Sequence, residues 1–174
     1  HTHLSGTGCS DYGDILLMPG SGAPSPNNKE YGSSFSHQIE KASPGYYAVK
    51  LNKHNIQVEL TATERVGIHY YHFSKKNDNY VLLDLKHRDE VLESSFKIED
   101  SVTVSGMRRS KAWAEDQVVY FVMKFSRPFS STQIWNQDIV DLISKQQEHN
   151  SKNLKAAFLF NNLPGNDLFL QVAI

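Results

Sequence analysis

The sequence predicts an all-β fold, either an antiparallel sandwich or a barrel. Hydrophobic residues recur mainly with a period of two, which is typical of strands that bury one face. Clusters rich in Gly, Pro, Asn and Asp separate these runs at regular intervals. Helical spacing occurs only in 137–150, and a strand followed by a polar loop fits that segment nearly as well. About eleven short strands without a long helix indicate a sandwich or barrel.

The first half of the chain contains the clearest hairpin. An initial strand, 14–18, ends at a Pro-Gly pair, and the loop 20–33 follows it. The runs 46–51 and 56–61 then alternate on either side of the polar turn 52–55, which predicts two paired antiparallel strands.

The later strands differ in how many of their faces are apolar. The run 80–85 is mostly apolar, as expected of a strand covered on both faces, and 118–125 is apolar on both faces and is predicted to be central. No repeat or linker interrupts the pattern, so we predict one domain over 1–174. The remaining predicted strands are 66–70, 94–98, 102–106, 129–135, 156–160 and 168–173.

Composition excludes several classes of protein. The chain has 174 residues, of which 39% are hydrophobic and 21% charged, as in a globular domain with a core. A net charge of −1 argues against a general nucleic-acid-binding surface. No apolar run is long enough to cross a bilayer. Cys9 is the only cysteine, so no internal disulfide forms. The chain begins at His1 within a motif, so we expect it to be an internal piece of a longer protein.

Four segments, in order, carry a resemblance to a known family. They are 1–14 (HTHLSGTGCSDYGD), 40–47 (EKASPGYY), 60–69 (LTATERVGIH) and 108–114 (RRSKAWA). Together they resemble the N-terminal domain of a family 92 glycoside hydrolase, of the α-1,2-mannosidase type found in Bacteroides. One such segment would be a weak signal, but four in the right order are hard to obtain by chance.

The resemblance implies both a fold and a function. The fold would be a large two-sheet antiparallel β-sandwich of the galactose-mutarotase-like supersandwich type, incomplete at its N-terminal side. The function would be that of the non-catalytic half of a calcium-dependent, inverting exo-α-mannosidase. A C-terminal (α/α)₆ barrel domain, absent from the chain, would carry the catalytic acid and base and most of the calcium shell. No catalytic residue and no metal ligand is therefore expected here, and the fragment alone should be inactive. Secretion, or a periplasmic or cell-surface location, is also implied.

Segment 1–14 is the candidate substrate-binding rim. Its glycines permit close approach of a ligand or another backbone, and its polar residues suit sugar hydroxyls. Composition alone favours a structural turn, and the resemblance reverses that preference. Cys9 and Ser10 are expected to tune specificity for the linked sugar. His1 and His3 share a face on a strand, but no third metal ligand is positioned, so hydrogen bonding is the better interpretation. The predicted rim residues are His3, Gly8, Cys9, Ser10 and Asp11.

Two charged groups have structural interpretations. The cluster Asp84, His87, Arg88, Asp89 and Glu90 is predicted to be a solvated, mutually paired loop rather than an acid–base pair. Glu64, Arg65, Arg108 and Arg109 are predicted to supply a buried Glu–Arg pair, with a contact to the barrel domain as the second interpretation.

Aromatic residues leave a second function open. In Tyr46-Tyr47 and Tyr70-Tyr71, strand alternation places one ring inside and one outside. Trp113 and Trp135 are more often core residues in a sandwich, although any of these rings could stack on sugars. A free-standing carbohydrate-binding module is therefore the alternative function, and a sandwich without a ligand is the third.

The expected partners follow from these interpretations. They are mannose-containing glycans and the barrel domain, with no nucleic acid. The missing first strands would leave an open sheet edge, which predicts a homo-oligomer or a further segment paired there.

Overall fold

The computed structural model describes residues 13–136, 139–141 and 148–174, with the backbone alone at 139–141. These residues form two antiparallel sheets, one of five strands and one of nine. Helix is limited in the described residues to the single turn α1 (Asn28–Tyr31) and a 3₁₀ turn (Pro164–Asn166). The all-β two-sheet sandwich predicted above is therefore confirmed.

The smaller sheet has all its neighbouring strands antiparallel. Its order is β1 (Leu16–Ser21), β6 (Asn79–Asp84), β13 (Leu154–Phe160), β10 (Ser131–Asn136) and β11 (Ile139–Asp141). Among the described residues β1 is an edge strand. It continues through Pro19, where the sequence predicts that the strand ends. An edge position tolerates a proline because a missing N–H there need not break the ladder.

The larger sheet has the last strand of the described chain at its centre. Its order is β12 (Glu148–Asn150), β7 (Glu90–Ile98), β8 (Thr103–Lys111), β9 (Gln117–Phe125), β14 (Asp167–Ala173), β5 (Val66–His72), β4 (Ile56–Ala62), β3 (Tyr46–Leu51) and β2 (Lys41–Ser43). The predicted hairpin is confirmed, because β3 and β4 pair from Tyr46–Thr61 to Leu51–Ile56. Asn55 closes its turn with a φ of 55°, a conformation that asparagine tolerates.

The main core lies between the two sheets. Phe158 of β13 packs against Phe125 of β9, with ring centroids 5.4 Å apart, and against Phe96 of β7 at 6.2 Å. A smaller cluster on the other face of the five-stranded sheet contains Tyr31 of α1, Leu82 and Trp135. Every residue of β6 is buried as a result, which confirms that both of its faces are covered.

Strand β9 is central, as predicted, but only one of its faces is buried. Its inward residues join the core, whereas Val118, Tyr120 and Val122 point outward and are exposed. Trp113, in the turn before β9, is 75% exposed and is therefore not a core residue. Trp135 is only 3% exposed and is a core residue. The sequence does not reveal that this outer face is exposed, because a strand with two apolar faces has the same sequence pattern whether the second face is covered or not.

The segment with helical spacing is short strand where it is described. Ile139–Asp141 pairs with β10, as the alternative of a strand followed by a polar loop predicts. Glu148–Asn150 pairs with β7, although a polar loop is predicted there. No helix among the described residues is both long enough and apolar enough to cross a membrane.

Candidate functional site

A buried ion pair fixes the point at which segment 1–14 joins the sandwich. Asp14 and Arg108 are both essentially inaccessible, and Arg108 Nη1 donates to Asp14 Oδ1 at 2.5 Å. Gln117 Nε2 donates to the other carboxylate oxygen at 2.9 Å, and Ser110 Oγ lies 3.4 Å from the first. Donors on β8 and β9 therefore hold Asp14 in place.

Arg108 also ties the loop after β6 to the same point. Its Nε donates to the carbonyl of Leu85 at 2.8 Å, and its Nη2 donates to the carbonyl of Arg88. A guanidinium carries its donors in a rigid planar fork, so one side chain orients three partners at once. The 85–88 loop and residue 14 are consequently fixed against each other.

A cavity of about 670 Å³ opens beside this anchor. Gly13 lines it, so the chain of segment 1–14 enters the described fold at its wall. Ile15, Leu17 and Leu60 supply apolar lining, and the β2–β3 turn closes one side. That turn is built on Pro44-Gly45, with Gly45 at a φ of 76°, as the third residue of a type II turn requires.

Two histidines give the cavity its polar character. His69 is buried, and its Nδ1 lies 2.7 Å from the hydroxyl of Tyr71. Burial is the main cause that lowers the pKa of His69 to about 4, so the ring is neutral at neutral pH. His87 is partly buried, but its Nδ1 is inaccessible and has no hydrogen-bond partner among the described residues. Buried polar atoms are rarely left unpaired, which marks His87 as a ligand-binding candidate.

The charged cluster around Asp84 is not the solvated loop that we predicted. Asp84 is fully buried at the end of β6 and accepts from Tyr31 Oη at 2.8 Å, Lys155 Nζ at 2.9 Å and the amide of Lys86 at 2.7 Å. Lys86 and Arg88 are exposed, as predicted for the loop. The burial of Asp84 is not apparent from the sequence because its two side-chain partners, Tyr31 and Lys155, lie at distant positions in the chain. Its carboxylate oxygens are therefore engaged in contacts that hold the fold together.

The predicted Glu–Arg pair is wrong in its partner. Arg108 is buried, but its carboxylate is Asp14 rather than Glu64. Glu64 and Arg65 are exposed, and Arg109 forms a surface pair with Asp116 at 2.6 Å. Strand alternation explains the difference, since adjacent Arg108 and Arg109 must point to opposite faces of β8. Asp14 went unrecognised as a partner because 94 positions separate it from Arg108.

The predicted rim residues His3, Gly8, Cys9, Ser10 and Asp11 lie outside the described residues, as does the His1–His3 pair. The structure brings together instead Gly13, His69, His87 and Arg88 around one cavity. Of these, His69 belonged to a segment of the family resemblance and His87 to the charged cluster. The sequence signal for His87 was its place beside a strand end, which did not distinguish it from its neighbours.

The described residues do not fit a metal site. No group of three or more His, Cys, Asp or Glu side chains in this part of the chain could hold a metal ion. The two most buried carboxylates are neutralised by cations of the protein, Asp14 by Arg108 and Asp84 by Lys155.

Comparison with known proteins gives a consistent match. The profile of the glycosyl hydrolase family 92 N-terminal domain covers residues 1–174. A family 92 alpha-mannosidase from Bacteroides thetaiotaomicron, solved in complex with mannoimidazole, matches with a TM-score of 0.89 and 28% identity, over 99% of this chain and 24% of that one. A family 92 inverting mannosidase from Bacteroides thetaiotaomicron VPI-5482 matches with a TM-score of 0.76 and 30% identity, over 91% of this chain and 21% of that one.

A further family 92 glycosyl hydrolase, ccman5, matches with a TM-score of 0.80 and 25% identity, over 93% of this chain and 23% of its own. No curated protein matches the chain. The chain thus spans about a quarter of the length of these solved relatives. With the family profile covering every residue, the chain belongs to glycosyl hydrolase family 92 and is its N-terminal domain.

Proposed function

We propose that this domain is the non-catalytic half of a calcium-dependent, inverting exo-α-mannosidase and that its cavity forms part of the active-site rim. The observation that carries the proposal is the cavity of about 670 Å³. Gly13, near the end of segment 1–14, lines its wall. Two solved relatives are mannosidases, one of them inverting and the other bound to mannoimidazole. The substrate class is accordingly a glycan that ends in α-linked mannose.

The chemistry of this half is binding and orientation. An inverting hydrolase needs a protonated carboxylic acid and a carboxylate on opposite sides of the scissile bond. Asp14 and Asp84 are buried and paired, so we assign both catalytic groups to the second domain of the full-length enzyme. Holding the sugar in a reactive orientation against those groups supplies a large part of the catalytic effect.

The cavity offers both kinds of contact that a pyranose needs. Ile15, Leu17 and Leu60 provide apolar contact for ring C–H groups. His87, whose partly buried ring lines the cavity, provides a hydrogen-bonding group for a sugar hydroxyl, and Arg88 provides a cationic donor at the same wall. The Asp14–Arg108 pair keeps these groups in register, because Arg108 binds the carbonyls on either side of the 86–87 pair.

The test uses the full-length enzyme and the variant His87→Ala. Loss of one hydrogen bond to a substrate hydroxyl should reduce kcat/KM for an α-mannobiose by about 2- to 15-fold. His54→Ala is the matched control, since His54 lies in the β3–β4 turn, outside the cavity. Equal kinetics of wild type and His87→Ala would contradict the proposal.

Linkage preference tests the predicted rim itself. Substitution of Cys9 or Ser10 in the full-length enzyme should change the ratio of kcat/KM values among mannobioses of different linkage. An unchanged ratio would remove these two residues from the proposed specificity site. The same assay should detect no hydrolysis by the 174-residue chain alone.

A further inference from the structure

A second concave surface lies on the outer face of the nine-stranded sheet, which faces away from the core. It is a shallow groove of about 430 Å³. Two neighbouring rows of outward side chains across the strands form most of it: Tyr46, Thr61 and Ile68 in one row, Glu59, Tyr70 and Phe169 in the next.

Aromatic rings dominate this groove. Phe169 is 49% exposed and Tyr46 is 40% exposed, so both present ring surface to solvent. Tyr70 and Phe169 are cross-strand neighbours with ring centroids 4.9 Å apart at an interplanar angle of 41°. Such a pair is held by its own packing, and rigid aromatic surfaces bind ligands at a small entropic cost.

Two carboxylates border the rings, and tyrosine hydroxyls hold each in position. Tyr46 Oη donates to Glu59 Oε2 at 2.8 Å, and Tyr70 Oη donates to Asp167 Oδ1 at 2.8 Å. His72 Nδ1 also lies 2.7 Å from Asp167 Oδ1. Within the described residues both of these hydrogen bonds involve Oδ1 of Asp167, so Oδ2 can accept from a ligand. Partial burial opposes ionisation of Asp167, but the hydrogen bonds from His72 and Tyr70 keep its pKa below the usual value.

We propose that this groove is an ancillary binding site for a neutral hexopyranose of a glycan. It adjoins the cavity lined by Gly13 and shares Tyr46, Leu60 and Thr61 with it. Tyr70, Asp167 and Phe169 belong to the groove and not to the cavity. A pyranose has an apolar C–H face that packs on aromatic rings, and its hydroxyls donate to fixed carboxylates. In the part of the chain that the structure describes, no Lys or Arg side chain lines the groove and two carboxylates do, so an anionic sugar is disfavoured. Mannose is the hexose that the proposed function predicts, and only this choice of sugar rests on that proposal.

The test is isothermal titration calorimetry of the 174-residue chain with an α-mannobiose. Tyr46→Ala and Phe169→Ala should each weaken binding about three- to tenfold, which corresponds to the loss of one aromatic stacking contact. Tyr120→Ala is the matched control, because Tyr120 is 69% exposed on the same sheet face but lies outside the groove. Circular dichroism and the thermal midpoint of each variant check that it folds.

Conservative variants extend the test to the polar groups. Glu59→Gln and Asp167→Asn keep the shape of the groove and should also weaken binding, whereas glucuronic acid should bind more weakly than mannose to the wild-type chain. Absence of binding by the wild-type chain, or equal affinity in Phe169→Ala, would overturn the proposal.

The proposed function and the groove fail separately. Binding that is lost in His87→Ala but kept in Phe169→Ala would place the sugar in the cavity and overturn the groove. Tyr46 lines both sites, so Tyr46→Ala is not used to distinguish them. Full-length enzyme that hydrolyses no mannoside would overturn the proposed function, while the chain's affinity would still decide the groove.

Discussion

At the scale of single residues, Asp14 and Arg108 are the most constrained pair among the described residues. Both side chains are 0% exposed. Besides bonding to each other, Asp14 accepts a hydrogen bond from Gln117 and Arg108 donates to the carbonyl of Leu85. A buried ion pair of this kind contributes little compared with a well-packed apolar pair, but loss of one partner leaves a buried charge. The pair therefore serves mainly to fix the position of residue 14 against β8. Replacing one partner should destabilise the fold more than replacing both with apolar residues.

Asp14→Asn should lower the free energy of unfolding by about 3–5 kcal/mol, because the Arg108 charge loses its buried counter-ion. Chemical denaturation of the chain measures this change. The matched control is Asp116→Asn, which breaks the surface pair with Arg109 and should cost less than about 1 kcal/mol. Equal effects of the two substitutions would show that the buried pair does not hold the fold.

His69 makes stability depend on pH in a defined direction. Its pKa falls from 6.5 to about 4 in the folded state, mainly through burial, so the unfolded chain binds more protons between those values. Stability from this residue is therefore complete above pH 6.5 and is lost as pH falls toward 4. Between pH 7 and pH 5 the loss should be on the order of 2 kcal/mol. Denaturation of wild type and His69→Gln at both pH values isolates the contribution, and parallel pH profiles would refute it.

At the scale of elements, the close approach of β7, β8 and β9 depends on one glycine. A Cβ built on Gly106 would lie 2.5 Å from the carbonyl oxygen of Ser95 and 2.5 Å from the Phe121 ring. Neither neighbour is the flexible end of a surface side chain, since Phe121 belongs to the core and Ser95 contributes backbone. The strands must separate to accept even one methyl group.

Gly106→Ala should therefore destabilise the chain by about 1–3 kcal/mol. Gly32→Ala is the control, because a Cβ there meets only the Asn28 carbonyl oxygen at 3.4 Å and the φ of −61° suits alanine. The difference between the two thermal midpoints measures the effect. A Gly106→Ala chain as stable as Gly32→Ala would mean that β7 and β9 yield at no cost.

The elements also show what a single sequence can predict here. Alternation predicted the β3–β4 hairpin with its turn, and a continuous apolar run predicted the doubly covered β6, because these signals are local. Strands β2 and β12 have three residues each and are formed through their partners, so no period marks them. The Asp14–Arg108 pair and the burial of Asp84 depend on contacts far apart in sequence, which alternation does not encode.

At the scale of the whole molecule, removal of calcium should affect the full-length enzyme but not this domain alone. Chelation with EDTA is expected to abolish mannoside hydrolysis by the full-length enzyme, as the family resemblance implies, and to leave the thermal midpoint of the 174-residue chain unchanged. Scanning calorimetry and an activity assay on matched samples check both parts. A lower midpoint of the isolated chain in EDTA would assign a calcium ligand to this half.

The two tryptophans lie at opposite extremes of exposure and so act as separate optical reporters. Iodide in solution should quench the fluorescence of Trp113 and leave that of Trp135 untouched. A partner that covers the end of the sheet beside β8 and β9 would protect Trp113 from quenching, whereas melting of the smaller sheet would expose Trp135. One emission spectrum can thus distinguish docking from unfolding without an added label.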